Sequence, residues 1–126
     1  MFSKEILDRL LERTKEGKIE WKAETMGPGS KRYEAVKDSL QFQIFSNCLG
    51  QRVGAERYSL TLEVVENLTI LLKDSENRVE GSGTNSEGAE TMRRLISRIE
   101  QQLEKQQEET ARRKRERTIK RILQVL

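Results

Sequence analysis

The chain has 126 residues, of which 36% are charged and 34% are hydrophobic, and its formal net charge is +3. It contains no histidine and a single cysteine, which excludes a Cys–His nucleophile pair, a zinc site of thiolates and imidazoles, and an internal disulfide. The length is typical of one domain with a small core. No acid–base pair, metal site or cofactor motif is marked in the sequence, so we expect a protein that is not an enzyme and that uses no cofactor.

The first predicted element is an amphipathic helix over residues 3–16. Its apolar side chains recur on one face, at Ile6, Leu7, Leu10 and Leu11. Ser3 is placed to cap the first turn, and Phe2 before it is placed to pack on Leu7. Gly17 is expected to end the helix in the left-handed conformation that follows many helix C-termini.

The next elements are predicted to be strands, because apolar and polar residues alternate. Residues 18–24 form the first strand, with one face made by Ile19, Trp21 and Ala23. A turn at 27–30 contains the only proline. The return strand lies within 33–45, and the pattern leaves open whether 31–38 is strand or a helical turn.

Two more strands are predicted after the return strand. The first covers 58–64, and a tight turn at Glu66-Asn67 connects it to the second, over 68–73. A further turn is predicted at 74–77, with a short strand around Val79. The connections have the length of hairpins, which favours an antiparallel meander of about four strands.

Two aromatic residues of these strands are interpreted as core residues. Trp21 and Tyr58 alternate with apolar neighbours, whereas a sheet that stacks nucleobases would expose aromatics among basic residues. Carboxylates such as Glu20 and Glu63 stand nearby instead.

A glycine-rich segment, GSGTNSEG at 81–88, precedes the second predicted helix. Such a loop can hold phosphate at a helix N-terminus, but a dinucleotide fingerprint needs glycine where Ser86 stands. Ala89 and Glu90 occupy the Lys and Ser/Thr positions of a P-loop. The segment is therefore interpreted as a linker with a helix cap.

A long helix is predicted from about residue 89 to the end. Its core-facing stripe comprises Met92, Leu95, Ile96, Ile99 and Leu103. Between 104 and 118 the only apolar residue is Ala111, so this part cannot pack against a core. The chain thus divides into a small α+β domain at 1–103 and a charged helical extension at 104–126, and the helix would be about 55 Å long.

An apolar stripe reappears at the end of this extension. It is spaced i, i+3, i+4, i+7 and comprises Ile119, Ile122, Leu123 and Leu126. These four residues are the candidate partner-binding site, for another protein or for a second copy of the chain.

The same extension is strongly basic. Residues 112–126 carry seven positive charges and one negative charge, a net +6, while the other 111 residues carry 17 and 20, a net −3. The candidate phosphate-contacting residues are Arg112, Arg113, Lys114, Arg115, Arg117, Lys120 and Arg121. They are spread around most of the helix circumference, which suits a helix lying in a nucleic-acid groove.

These observations predict an α+β fold with an N-terminal helix, an antiparallel meander and a long C-terminal helix that projects beyond the body. The favoured function is a protein-interaction module that uses the C-terminal helix. The alternative is an accessory nucleic-acid-binding protein with sequence-independent phosphate contacts. An acidic protein or an anionic membrane surface are further candidate partners of the basic end. The single cysteine and the lack of a signal or transmembrane segment favour a cytoplasmic location.

Overall fold

The described residues of the chain form two helices and one antiparallel sheet. A computed structural model describes residues 3–48, 57–79 and 87–126. The elements are α1 (Lys4–Lys15), β1 (Lys22–Gly27), β2 (Ser30–Lys37), β3 (Leu40–Cys48), β4 (Arg57–Glu66), β5 (Thr69–Val79) and α2 (Glu87–Val125). The strands lie side by side in the order β1-β2-β3-β4-β5, and each pair is antiparallel. The α+β meander is confirmed, with five strands where about four were predicted.

Helix α1 begins and ends within one residue of the prediction. Gly17 has a φ of +74° and follows the helix, as expected. Ser3 is the N-cap residue, but its hydroxyl makes no capping hydrogen bond. Its backbone N–H donates instead to Asp74 Oδ2 on β5, at 3.1 Å, and this bond ties the start of α1 to the sheet. The predicted contact of Phe2 lies outside the described residues.

The predicted first strand is displaced along the chain. Ile19 and Trp21 are buried as expected, but they precede β1, which begins at Lys22. Ala23 pairs with the buried Tyr33 and therefore lies on the predicted face, but it is exposed because β1 is the edge strand. The strand begins later than predicted because a side chain of α2 hydrogen-bonds the backbone around Trp21.

The predicted return strand is in fact two strands. Residues 30–37 form β2, which settles the open question in favour of strand. Lys37 pairs with Leu40, so a turn of only two residues joins β2 to β3. Asp38 occupies this turn with a φ of 56°, a conformation that Asp tolerates better than most residues. This turn accounts for the additional strand.

The prediction for β5 was wrong in one respect. The tight turn after β4 is present, at Asn67-Leu68 with φ values of 49° and 65°. The turn predicted at 74–77 is absent, because β5 runs without interruption through these residues. Polar residues are common in an edge strand such as β5, and Asp74, the first of these four, accepts the hydrogen bond from Ser3.

One face of the sheet carries the hydrophobic core, and both helices cover that face. The largest fully buried side chains are Leu7, Trp21, Ile44, Leu62, Met92, Leu95 and Ile99. Ile96 and Leu103 of the predicted stripe are partly buried against the same cluster. Trp21 is 1% exposed, which confirms it as a core residue. The side chain of Tyr58 lies outside the described residues, as does most of the glycine-rich segment.

Candidate interaction helix

Helix α2 is continuous for 39 residues, from the core to the end of the chain, which corresponds to about 58 Å at 1.5 Å per residue. Its first four turns pack on the sheet and on α1. All residues from 104 to 126 are exposed. The helix therefore projects beyond the body, as the interrupted apolar stripe predicted.

A glutamine side chain fixes the point at which α2 leaves the body. Gln102 Oε1 accepts a hydrogen bond from the backbone N–H of Trp21 at 3.0 Å, and Gln102 Nε2 donates to the carbonyl oxygen of Ile19 at 2.9 Å. These two bonds satisfy backbone groups of the segment between α1 and β1, which pairs with none of the described strands. Gln102 thus holds the helix at its exit and fixes its direction.

A charged cluster lies one half-turn before Gln102. Glu100 accepts hydrogen bonds from Tyr33 Oη and from Lys31 Nζ, the second at 2.8 Å. Burial alone would raise the pKa of Glu100, but the two hydrogen bonds and the Lys31 charge outweigh it and hold this pKa below its ordinary value of 4.5. Burial, together with the bond to Glu100, raises the pKa of Tyr33 well above its ordinary value of 10. Glu100 thus contacts β2 although it does not belong to the apolar stripe that was predicted to face the core.

Glu100→Gln is expected to change how stability depends on pH. Because the pKa of Glu100 is lowered in the folded state, its stabilisation is present above pH 4.5 and is lost as the pH falls through the folded-state pKa. The variant should be about 0.5–1 kcal/mol less stable than the native chain at pH 7. Urea denaturation at several pH values should show this difference shrinking in acid. A constant difference from pH 7 to pH 3 would contradict the prediction, and Glu104→Gln serves as the control for loss of an exposed carboxylate.

The helix leaves the body over the edge strand β1. Leu103, Glu104 and Gln107 line a shallow depression together with Ala23 and Thr25 of β1. From Glu104 onward every residue of α2 is exposed.

The four candidate partner-binding residues lie at the far end of α2, and we call them the tip patch. The exposed fractions are 48% for Ile119, 52% for Ile122, 67% for Leu123 and 94% for Leu126. Since successive residues of an α-helix turn by about 100°, the tip patch lies roughly opposite the stripe that faces the core. It begins about 24 Å along the helix axis from Leu103, so none of the described residues of the sheet or of α1 packs against it.

The seven candidate phosphate-contacting residues are all exposed. On the same helical geometry, five of them lie within an arc of about 120° on the side opposite the tip patch. We call these five the basic face: Arg113, Lys114, Arg117, Lys120 and Arg121. Arg112 and Arg115 lie on the side of the tip patch. The charges are therefore less evenly spread around the helix than the sequence reading implied.

Few of these charges are neutralised by neighbours. Arg113 Nη2 lies 2.9 Å from Glu109 Oε1, in an exposed pair one turn apart. It is the only ion pair of the basic face within the described part of the chain. Exposed pairs of this kind contribute little, so the basic face is available to an anionic surface.

The described residues show neither a metal-binding cluster nor a membrane-spanning helix. No group of three or more His, Cys, Asp or Glu residues among them could hold a metal ion. In the described part of the chain no helix is long and apolar enough to cross a membrane. What the helix can offer is a surface, apolar on one side and basic on the other.

Comparison with known proteins gives no relative that would identify the chain: no family model matches it, and no curated protein or solved structure is significantly similar. The fold and the exposed helix are therefore the basis for a functional proposal.

Proposed function

We propose that this protein is a non-enzymatic interaction module that docks on an acidic protein partner through the C-terminal end of α2. The observation that carries the proposal is the tip patch, four large apolar side chains exposed at the end of a helix whose preceding residues, 104 to 118, include Ala111 as the only apolar one. Spacing at i, i+3, i+4 and i+7 is the pattern by which an amphipathic helix anchors in a groove on another protein.

The energetics favour a partner that is acidic as well as apolar. Burying a large apolar side chain contributes about 1.5–3 kcal/mol, so four of them contribute a gross 6–12 kcal/mol at most. The loss of free motion on association costs about 4–15 kcal/mol. The apolar contact alone is therefore marginal. Carboxylates of the partner are attracted by the net +6 of residues 112–126, with Arg112 and Arg115 on the side of the tip patch, and this attraction supplies the remaining affinity and speeds the encounter.

The same charge disfavours self-association through the tip. Residues 112–126 carry a net +6, and two copies paired along this segment would bring two such charges together. Like charges across an interface oppose binding. A second copy of the chain is therefore the less favoured occupant.

The proposal is tested by capture from native lysate with the full-length chain and with residues 1–111 as separate baits. The full-length chain is expected to retain an acidic protein that residues 1–111 do not retain, and nuclease treatment should leave this retention unchanged. Circular dichroism of residues 1–111 checks that the shorter bait is folded. Equal retention by both baits contradicts the proposal, and a doubled mass of the purified full-length chain in sedimentation would indicate self-association instead.

A second candidate is binding to nucleic-acid phosphates, and the clustering of five cations on the basic face favours it. Each phosphate neutralised on duplex DNA contributes about −0.9 to the slope of log affinity against log salt concentration. If the basic face alone engages, the slope should be near −4.5, whereas all seven cations would give about −6. A purified chain that is not retained by DNA or RNA at low salt excludes this candidate.

A further inference from the structure

A cleft lies between the C-terminal half of α1 and the sheet, at the end of the sheet where the β2-β3 and β4-β5 turns lie. Its volume is about 690 Å³, within the range of roughly 300–1,000 Å³ found for small-molecule sites. The floor is apolar and includes Leu10, Ile19, Leu40, Phe42, Val64 and Leu72. This cleft is distant from the tip patch, because α2 leaves the body over β1 at the opposite edge of the sheet.

Every polar residue among the described residues that line the cleft is a cation. These are Arg9 and Arg13 of α1, Lys18 after it and Lys37 at the end of β2, and no described lining residue is acidic. A body whose net charge is −3 outside residues 112–126 thus concentrates four positive charges around one apolar cavity.

These cations remain available to a ligand. Arg9 Nη2 lies 3.6 Å from Glu5 Oε1. Arg13 Nη1 and Lys18 Nζ lie 3.3 Å and 3.1 Å, respectively, from Glu16 Oε2. All of these side chains are substantially exposed, and such surface pairs are weak enough to be exchanged for a better-placed anion. Lys37 forms no ion pair with any other residue that the structure describes.

We propose that this cleft binds a long-chain fatty acid, with the alkyl chain on the apolar floor and the carboxylate among the four cations. A small hydrophilic anion would leave the floor uncovered, whereas an alkyl chain covers it and gains about fourfold in affinity for each methylene group buried. A neutral lipid would leave the cations without a partner.

Two other occupants fit less well. The volume would hold only about 7 Å of an α-helix of ordinary diameter, or roughly five residues, which is too little to anchor an acidic peptide helix. The tip of a second copy carries a net +6 and would be repelled by the rim. The sign of the charge and the size of the cavity therefore both point to a small amphipathic anion.

The test is isothermal titration of the full-length chain with dodecanoate, dodecanol and dodecyltrimethylammonium, each below its micelle concentration or solubility limit. These three probes have alkyl chains of nearly equal length, and their head groups are anionic, neutral and cationic in turn. We expect dodecanoate to bind at least about tenfold more tightly than either of the others, and octanoate to bind more weakly than dodecanoate.

Matched variants locate the site. Lys37→Glu should weaken dodecanoate binding by about tenfold or more, while Lys73→Glu, an identical charge change on the uncovered face of the sheet, should leave it unchanged. Leu40→Trp, which fills the cleft, should also abolish binding, and circular dichroism checks that each variant is folded. The proposal is overturned if dodecanoate does not bind, if the three head groups bind equally, if both charge reversals weaken binding alike, or if only an acidic peptide binds.

Discussion

Replacing Trp21 with alanine is expected to lower the free energy of unfolding by about 3–5 kcal/mol. Trp21 is among the largest fully buried side chains and is 1% exposed. Its indole N–H donates to Thr14 Oγ1 at 2.9 Å, and the Thr14 hydroxyl donates in turn to the carbonyl oxygen of Leu10 at 2.7 Å. The substitution therefore leaves a large cavity and deprives a buried hydroxyl of a donor. Since small domains are stable by only about 5–15 kcal/mol, the variant should be close to unfolding.

Chemical denaturation followed by circular dichroism measures this loss, because Trp21 is the only tryptophan and its fluorescence disappears with it. Trp21→Phe is the matched control, since it keeps one aromatic ring while it removes the donor to Thr14 and a smaller part of the buried volume than alanine does. It should cost about 1–2 kcal/mol. If alanine and phenylalanine have equal effects below 1 kcal/mol, Trp21 is not the centre of the core.

Replacing both Ile122 and Leu123 with aspartate is expected to weaken binding to the protein partner by at least about a hundredfold. The two side chains contribute roughly 3–6 kcal/mol if they become buried, and 2.8 kcal/mol already corresponds to about a hundredfold in affinity. Aspartate also places charges in an apolar contact, which adds a desolvation cost. The free protein should be unaffected, because both residues are exposed in it.

The control for this variant must change the net charge equally without touching the tip patch. Thr118→Asp combined with Gln124→Asp does so on other sides of the same helix. We expect the control to weaken binding by less than about tenfold, through reduced attraction alone. Equal losses in the two variants would show that charge, and not the tip patch, accounts for the affinity. Fluorescence anisotropy with the captured partner gives both affinities, and denaturation curves confirm equal stability.

The elements that sequence reasoning placed well are those whose pattern is local. The stripe from Met92 to Leu103 and its interruption both follow from helical spacing, and they predicted where α2 packs and where it projects. The tip patch follows from the same spacing. Gly17 after α1 follows from local backbone chemistry. None of these predictions required knowledge of contacts between residues that are distant in the sequence.

The predictions from local sequence patterns were wrong where the position of a segment in the fold decides its structure. The turn predicted at 74–77 rested on polar residues, but these residues belong to an edge strand, where polar side chains are ordinary. Trp21 alternates like a strand residue, yet its backbone N–H is bonded by Gln102, which lies 81 positions later in the chain. The two-residue turn at Asp38 interrupts an alternating run with only a weak local signal.

The cleft was beyond sequence reasoning for the same reason. Its cations come from α1, from the segment after α1 and from β2, and each one reads locally as an ordinary solvated charge. Only the packing of α1 on the sheet brings them around one apolar floor. A faint signal exists in Arg9 and Arg13, which are spaced by one helical turn beside the apolar stripe, but such pairs are common on any surface helix.

The continuity of α2 has a consequence for helical phasing. The helix is uninterrupted between Gln102 and the tip patch. The packing of α2 on the core therefore also sets the direction in which the patch points about the helix axis. One residue inserted between 104 and 118 would turn the patch by about 100° and advance it by about 1.5 Å, whereas seven residues would nearly restore its azimuth. A partner that also touches the body would therefore distinguish these two insertions, and a partner that touches the tip alone would not.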